Sequence, residues 1–256
     1  MGAIESFPEE LARELAGNTV DGAGTLARQA LRGLRAHIET AEGADVEAMF
    51  GWARTLEHAR PDIGAVGSLS RHWMDSMPVV EGAHDNAREM AIRHCDRVLA
   101  RADAAFEQTI KLGRARLAGI SGSIVTHSAS STVRHLLAAV APSRVIVGAS
   151  EPGGEGRSLA AEIRARCVSD ADAVRRVAQA GAVLVGADAI GTHAFVNKVG
   201  TLALAEAAHE AGTPFFVVAE SFKRVPIADP PAVEPAFEIV SNALVSDFLA
   251  DGLFLP

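Results

Sequence analysis

Residues 122–150, GSIVTHSASSTVRHLLAAVAPSRVIVGAS, decide the fold. A short β-rich run, IVT, gives way to hydroxyl residues. An Ala- and Leu-rich helical stretch follows, and then a second β-rich run, VIVG. The same alternation continues along the chain: SRVIVGAS (143–150) precedes GRSLAAEIRA (156–165), GAVLVGAD (181–188) precedes VNKVGTLALAEAAHEA (196–211), and TPFFVVAES (213–221) precedes a Pro-rich loop. The apolar runs are continuous rather than alternating, which is the pattern of strands buried on both faces of a parallel sheet with helices packed on either side. Sheets of this kind bind ligands outside the carboxyl ends of their strands. Polar clusters fall at four such ends, in residues 126–128, 150–156, 186–188 and 220–223.

Before residue 117 the pattern is helical. In GTLARQALRGLRAHIETA (24–41), Leu26, Ala30, Leu31, Leu34 and Ile38 share one face at three- and four-residue spacings. HARPDIGAVGSLSRHW (58–73) breaks the period with Pro61, Gly64 and Gly67, and reads as a loop or sharp turn. DNAREMAIRHCDRVLARADAAFEQTIKL (85–112) is a long helix expected to end near Gly113. The expected organisation is a helical N-terminal domain over 1–117 and an α/β domain over 118–256.

The chain has 256 residues, 48% of them hydrophobic, enough for a buried core without disulfide or metal staples. Cys95 and Cys167 have neither paired nor zinc-ligand spacing, which fits a reducing, cytoplasmic setting. The first residues, MGAIESFPEELAREL, are acidic and helical rather than a basic and apolar leader, and no long apolar run suggests a membrane span. A net charge of −8 disfavours non-specific nucleic-acid binding, and the basic residues of 97–117 are interleaved with acids as on a solvated helix face.

Three constellations carry candidate chemistry. THSASST (126–132), with Thr126, His127, Ser128, Ser130 and Ser131, is either an anion-binding helix start or a hydroxyl-rich N-cap without a ligand. GASEPGGEGRSLA (148–160) lacks G-x-G-x-x-G spacing, so its glycines are read as turn formers, with Arg157 at the helix start a possible phosphate contact. Asp188, directly after AVLVG, is either an acid/base carboxylate at the end of a buried strand or the cap of a following helix. Asn197 and Lys198 are placed at the start of that helix, where Lys198 either neutralises a phosphate or is merely exposed. His127 and His193 lie near the same rim without metal-ligand spacing, and Ser128 is not in a G-x-S-x-G elbow. No metal or cofactor is expected.

In order, IVTHSASSTV, VIVGASEPGGEG, AVLVGADAI, NKVGT, PFFVVAESFKRVP and FEIVSNALVSDFLADG resemble one family. It unites the regulatory alpha, beta and delta subunits of translation initiation factor 2B, the methylthioribose-1-phosphate isomerases and the ribose-1,5-bisphosphate isomerases. DGAGTLARQAL (21–31) and ARP (59–61) extend the likeness into the N-terminal helices. The resemblance implies a helical domain followed by a Rossmann-like sheet, dimers or higher homo-oligomers, and a sugar-phosphate or nucleotide-phosphate pocket between the domains. Carried onto this chain, it implies ligand contacts from Gly22, Ala23, Arg60, Thr126, His127, Ser130, Ser131, Arg157, Asn197 and Lys198.

The isomerases' T-H-C motif reads here Thr126-His127-Ser128, while their G-A-D motif is kept as Gly186-Ala187-Asp188. A thiol ionises at about 8.5, and a serine hydroxyl far less readily, so Ser128 is a poor substitute for a catalytic cysteine. Ser at this place and the wording AESFK are those of the initiation-factor subunits, although those subunits often read G-A-E. The isomerases' R-G-A is Asp21-Gly22-Ala23 here, and their E-[ST]-R-P is Ala149-Ser150-Glu151-Pro152. Each exchange sets an acid where an arginine met phosphate, at a cost on the order of several kcal/mol in a dry pocket. The stretch 163–170 looks short, as if a strand were truncated or missing.

Two functions are therefore expected from these residues. One is a regulatory, non-catalytic protein binding a sugar phosphate or nucleotide. The alternative is an aldose–ketose isomerase of phosphorylated pentoses, with Asp188 as acid/base and Ser128 at the cysteine position.

Overall fold

The computed structural model describes residues 7–18, 21–61, 63–78, 84–225 and 235–254. The Pro-rich loop expected after 221 and the first six residues fall largely or wholly outside them. The chain divides into two compact units, Met1–Ala104 and Ala105–Pro256.

The first unit is helical: α1 (Glu9–Gly17), α2 (Ala23–Thr40), α3 (Val46–Glu57), α4 (Gly64–Asp75) and the start of α5 (His84–Ala118). Leu26, Leu31, Leu34 and Ile38 line the buried face of α2, at the spacings expected of an amphipathic helix. Gly64 and Gly67, read above as turn residues, lie inside α4. A Cβ on Gly67 would sit 2.4 Å from the Glu57 carbonyl, so glycine here permits α3 and α4 to pack closely. Gly113, expected to end the long helix, lies within it, for α5 runs through to Ala118. A Cβ there would meet Leu136 at 2.5 Å.

The second unit continues with β1 (Ile124–Thr126), α6 (Ser131–Leu137), β2 (Val145–Gly148), α7 (Glu155–Glu162), β3 (Arg166–Val168), α8 (Asp170–Arg176), β4 (Ala182–Val185), β5 (Ala189–Ile190), β6 (Ala194–Lys198), α9 (Thr201–Ala211), β7 (Phe215–Val218), β8 (Phe237–Ser241) and β9 (Asp247–Leu249). Six of these strands form a wholly parallel sheet in the order β3-β2-β1-β4-β7-β9. Alternate residues of the apolar runs serve opposite faces. Ile124, Leu184, Phe216 and Val218 pack with α6, α7 and the end of α5. Val125, Val183, Phe215 and Val217 pack with α8 and α9. The stretch 163–170 does contain a strand, β3, which is three residues long and lies at the sheet edge.

A second sheet, β5-β6-β8, is antiparallel and was not expected. It corrects the placement of Asn197 and Lys198, which end strand β6 rather than open a helix; α9 starts at Thr201. Residues 194–198 pair with 237–241, some forty residues away along the chain, and a partner so distant leaves no local periodicity to read. The same sheet removes the capping alternative for Asp188, because β5 follows it and not a helix.

Candidate functional site

The strand order reverses between β1 and β4. The chain builds outward from β1 through β2 to β3, then returns to the other side for β4, β7 and β9. Sheets of this kind take up ligands at such a switch point, at the strands' carboxyl ends beside the loops that follow β1 and β4. Residues 127–130 and 186–188 border it. Gly186 lies so near the first loop that a Cβ on it would sit 2.7 Å from both Cβ and Oγ of Ser130.

Ser128 is half-buried, with φ 69°, a left-handed conformation that serine rarely adopts. It is held there by its neighbours. Its N–H donates to Ser150 Oγ at 2.8 Å. Ser150 is itself left-handed, with φ 66°, and fully buried. Its hydroxyl lies 3.3 Å from His127 Nδ1 and 3.2 Å from the Gly148 carbonyl. Asp170, at the start of α8, accepts the N–H groups of Ser150 at 2.7 Å and Glu151 at 2.9 Å. His127 is 1% exposed, and its Nε2 donates to the Val199 carbonyl at 2.6 Å, since a carbonyl can only accept. The bond ties the loop after β1 to the turn between β6 and α9.

That turn carries Lys198. Its side chain is 6% exposed, and its Nζ pairs with Glu155 Oε1 at 2.8 Å. Asn197 is buried and donates from Nδ2 to Thr201 Oγ1 at 3.0 Å. Glu155 opens α7, whose start presses on β2: a Cβ on Gly156 would fall 1.8 Å from the Gly148 carbonyl oxygen. The Gly-rich loop is therefore a close-approach device, consistent with its lacking a dinucleotide fingerprint. Asp188 is half-buried at the end of β4, its N–H donating to the Val196 carbonyl at 2.9 Å.

The remaining candidates do other things. Ser130 caps α6, its hydroxyl accepting from Val133 N–H at 3.5 Å, and Ser131 is the first residue of that helix. Thr126 Oγ1 is buried and has no hydrogen-bond partner among the described residues. Arg157 is 62% exposed, and its guanidinium pairs with Glu151, so neither residue is buried. His193 is exposed in the β5–β6 turn, whereas His127 is buried.

Gly22, Ala23 and Arg60 belong to the first unit. Gly22 is the N-cap residue of α2 and Ala23 its first, buried, residue. Arg60 is 4% exposed and donates from Nη1 to the carbonyls of Leu15, Ala16 and Asn18 at 3.0–3.4 Å, holding the end of α1. The carboxylate of Asp21 accepts from Asn18 Nδ2 at 2.9 Å and Gln29 Nε2 at 3.1 Å, near the positive end of α2.

Motif reading missed Asp170; it named Ser150 and Glu155 only within the polar cluster 150–156, and a buried pair at the end of β7 only within 220–223, without roles. There Lys223 Nζ lies 3.2 Å from Glu220 Oε2, and Thr132 Oγ1 donates to the same oxygen at 3.4 Å. The AESFK stretch was the available signal for that pair. For Asp170, twenty residues from the loop it holds, sequence offers none.

The comparisons with known proteins agree with this architecture. A translation initiation factor eIF-2B subunit 2-like protein of Pyrococcus abyssi is 31% identical over 228 residues, covering 84% of this chain and 78% of its own length. A ribose 1,5-bisphosphate isomerase of Haloferax volcanii is 30% identical over 223 residues, covering 81% and 68%. The crystal structure of the translation initiation factor eIF-2B of Pyrococcus horikoshii superposes with a TM-score of 0.77 at 24% identity, over 94% of each chain, a likeness of fold. With residues 19–230 matched by its family model, the chain belongs to the Initiation factor 2 subunit family, IF-2B.

Proposed function

We propose that this family member binds a phosphorylated sugar or nucleotide at the switch point, in a regulatory, non-catalytic role and as a homo-oligomer. The observation that carries the reading is Lys198, whose side chain is 6% exposed at the end of β6. A buried cation needs an anion to meet it, and here Glu155 supplies one from a side chain that is itself 37% exposed, so the ammonium group holds its anion within reach of solvent. The non-catalytic part rests on Ser128, whose hydroxyl is a far weaker acid than the thiol of the family's isomerases.

The experiment is a thermal-shift screen with ribose 1,5-bisphosphate, 5-methylthioribose 1-phosphate and nucleoside monophosphates, paired with turnover assays. The expected result is a rise in Tm that Lys198→Ala abolishes, with no conversion of either sugar phosphate. The absence of any shift sinks the reading.

Asp188 motivates a second reading, an aldose–ketose isomerase, because its half-buried carboxylate stands at the end of β4 beside the loop that bears Ser128. That reading requires conversion of one of the two sugar phosphates at a rate abolished by Asp188→Asn.

A further inference from the structure

Lys198 does not wait with an empty partner position: Glu155 Oε1 occupies it at 2.8 Å. We propose that Glu155 is the affinity-setting residue of this site, a resident carboxylate that an incoming phosphate must displace from Lys198. The inference rests on reading Lys198 as a phosphate ligand.

The geometry is that of a replaceable partner rather than a fixed structural one. Glu155 stands in the first turn of α7, and its side chain is 37% exposed against 6% for Lys198. Its carboxylate folds back over Gly153, where an added Cβ would lie 2.5 Å from Oε1 and 2.7 Å from Cδ. Glycine at 153 leaves the room that this resting position needs. The second oxygen, Oε2, is buried and has no hydrogen-bond partner among the described residues. Here one ionic contact holds the group, and its other oxygen gains from moving out to water.

A phosphate and a carboxylate compete for the same ammonium and repel one another. Because Glu155 is tethered to the protein, it competes at a high effective concentration whatever the ligand level. The site then responds only when ligand is abundant, as a threshold sensor requires. Glu151 cannot perform this role, since its carboxylate is exposed and bound by Arg157.

The test is isothermal titration of wild type, Glu155→Gln, Gly153→Ala and Lys198→Ala with ribose 5-phosphate. Glu155→Gln is expected to bind about tenfold more tightly than wild type, the scale of removing one charge from a partly buried site. Gly153→Ala keeps the charge and crowds the carboxylate from its resting place, so it shifts affinity in the same direction. Lys198→Ala abolishes binding. Equal or weaker binding by Glu155→Gln overturns the proposal while leaving the phosphate reading intact.

If neither wild type nor Glu155→Gln binds the probe, the phosphate reading fails. The pairing is then decided without ligand, by acetylation with N-hydroxysuccinimide acetate mapped by mass spectrometry. Loss of the carboxylate is expected to speed modification of Lys198 relative to exposed Lys111. An unchanged ratio overturns the counter-ion role as well.

Discussion

Ser128 and Ser150 hold each other in left-handed backbone conformations, the N–H of the first donating at 2.8 Å to the hydroxyl of the second. Neither conformation is favourable for serine alone. Ser150→Ala removes the acceptor and leaves a partly buried N–H without it, at a cost of about 1–3 kcal/mol. Urea unfolding measures the loss. Hydrogen exchange at the Ser128 amide is expected to accelerate more than at strand amides of β1; uniform acceleration would mean that Ser150 does not hold the loop specifically.

Gly200→Ala tests the seat of His127. Gly200 has φ +103°, and a Cβ there would lie 2.8 Å from His127 Nε2, against the bond to Val199. Backbone strain alone amounts to about 1–3 kcal/mol, before the imidazole is pushed aside. The expected outcome is a clear drop in Tm together with weakened sugar-phosphate binding. Wild-type stability in this variant contradicts the described turn.

The Glu220–Lys223 pair is almost wholly enclosed, with side chains 1% and 4% exposed. Lys223→Met strands a buried carboxylate and is expected to destabilise by about 3–5 kcal/mol. Glu220→Gln combined with Lys223→Met removes both charges and should lose less than Lys223→Met alone. Chemical denaturation of the two single variants and the double variant measures the coupling.

The two thiols are expected to react at very different rates. Burial pushes the Cys95 thiol up to about 12, so it stays protonated in the folded protein, while Cys167 is exposed on β3. A disulfide reagent near neutral pH should label Cys167 promptly and Cys95 only after denaturant is added. Prompt labelling of both would show that α5 opens around Cys95.

Acid should weaken the helical unit. Burial, reinforced by Arg101 near His72 and Arg97 near His94, lowers both imidazoles from their ordinary value of 6.5. In the unfolded chain they bind protons more readily, so their stabilising contribution is full above about pH 6.5 and falls as pH drops through the folded values. Trp73 lies 6.3 Å from His94 between ring centroids, and its fluorescence reports the transition. His94→Gln should flatten the pH dependence of the urea midpoint between pH 7 and 5.

The central strands of the parallel sheet were legible because each carries its own signal: VIVG, AVLV and FFVV are short, apolar and closed by turn residues, whereas the exposed edge strands RCV and DFL are not. The antiparallel sheet was not, since β6 acquires its conformation from β8, and the polar end of AFVNK running into VGTLALAEAA looks locally helical. Gly67 and Gly113 were misread for a related reason. Sequence shows that a side chain is missing but not whether a turn or a neighbouring helix needs the space. Ser128 and Asp188 were read as lying just after strands, and they do; Lys198 was read as opening a helix, whereas it ends β6. Whether an acid faces the lysine depended on side-chain direction: Glu151 turns outward to Arg157, while Glu155, four residues on, reaches Lys198.

The outer strands of the parallel sheet have a consequence for self-association. β3 is three residues long with Arg166 and Cys167 exposed, and β9 is equally short with Asp247 exposed. Short edges bearing charge make poor templates for a strand from another molecule. Copies of this chain are thus discouraged from joining edge to edge through the parallel sheet into one continuous ribbon.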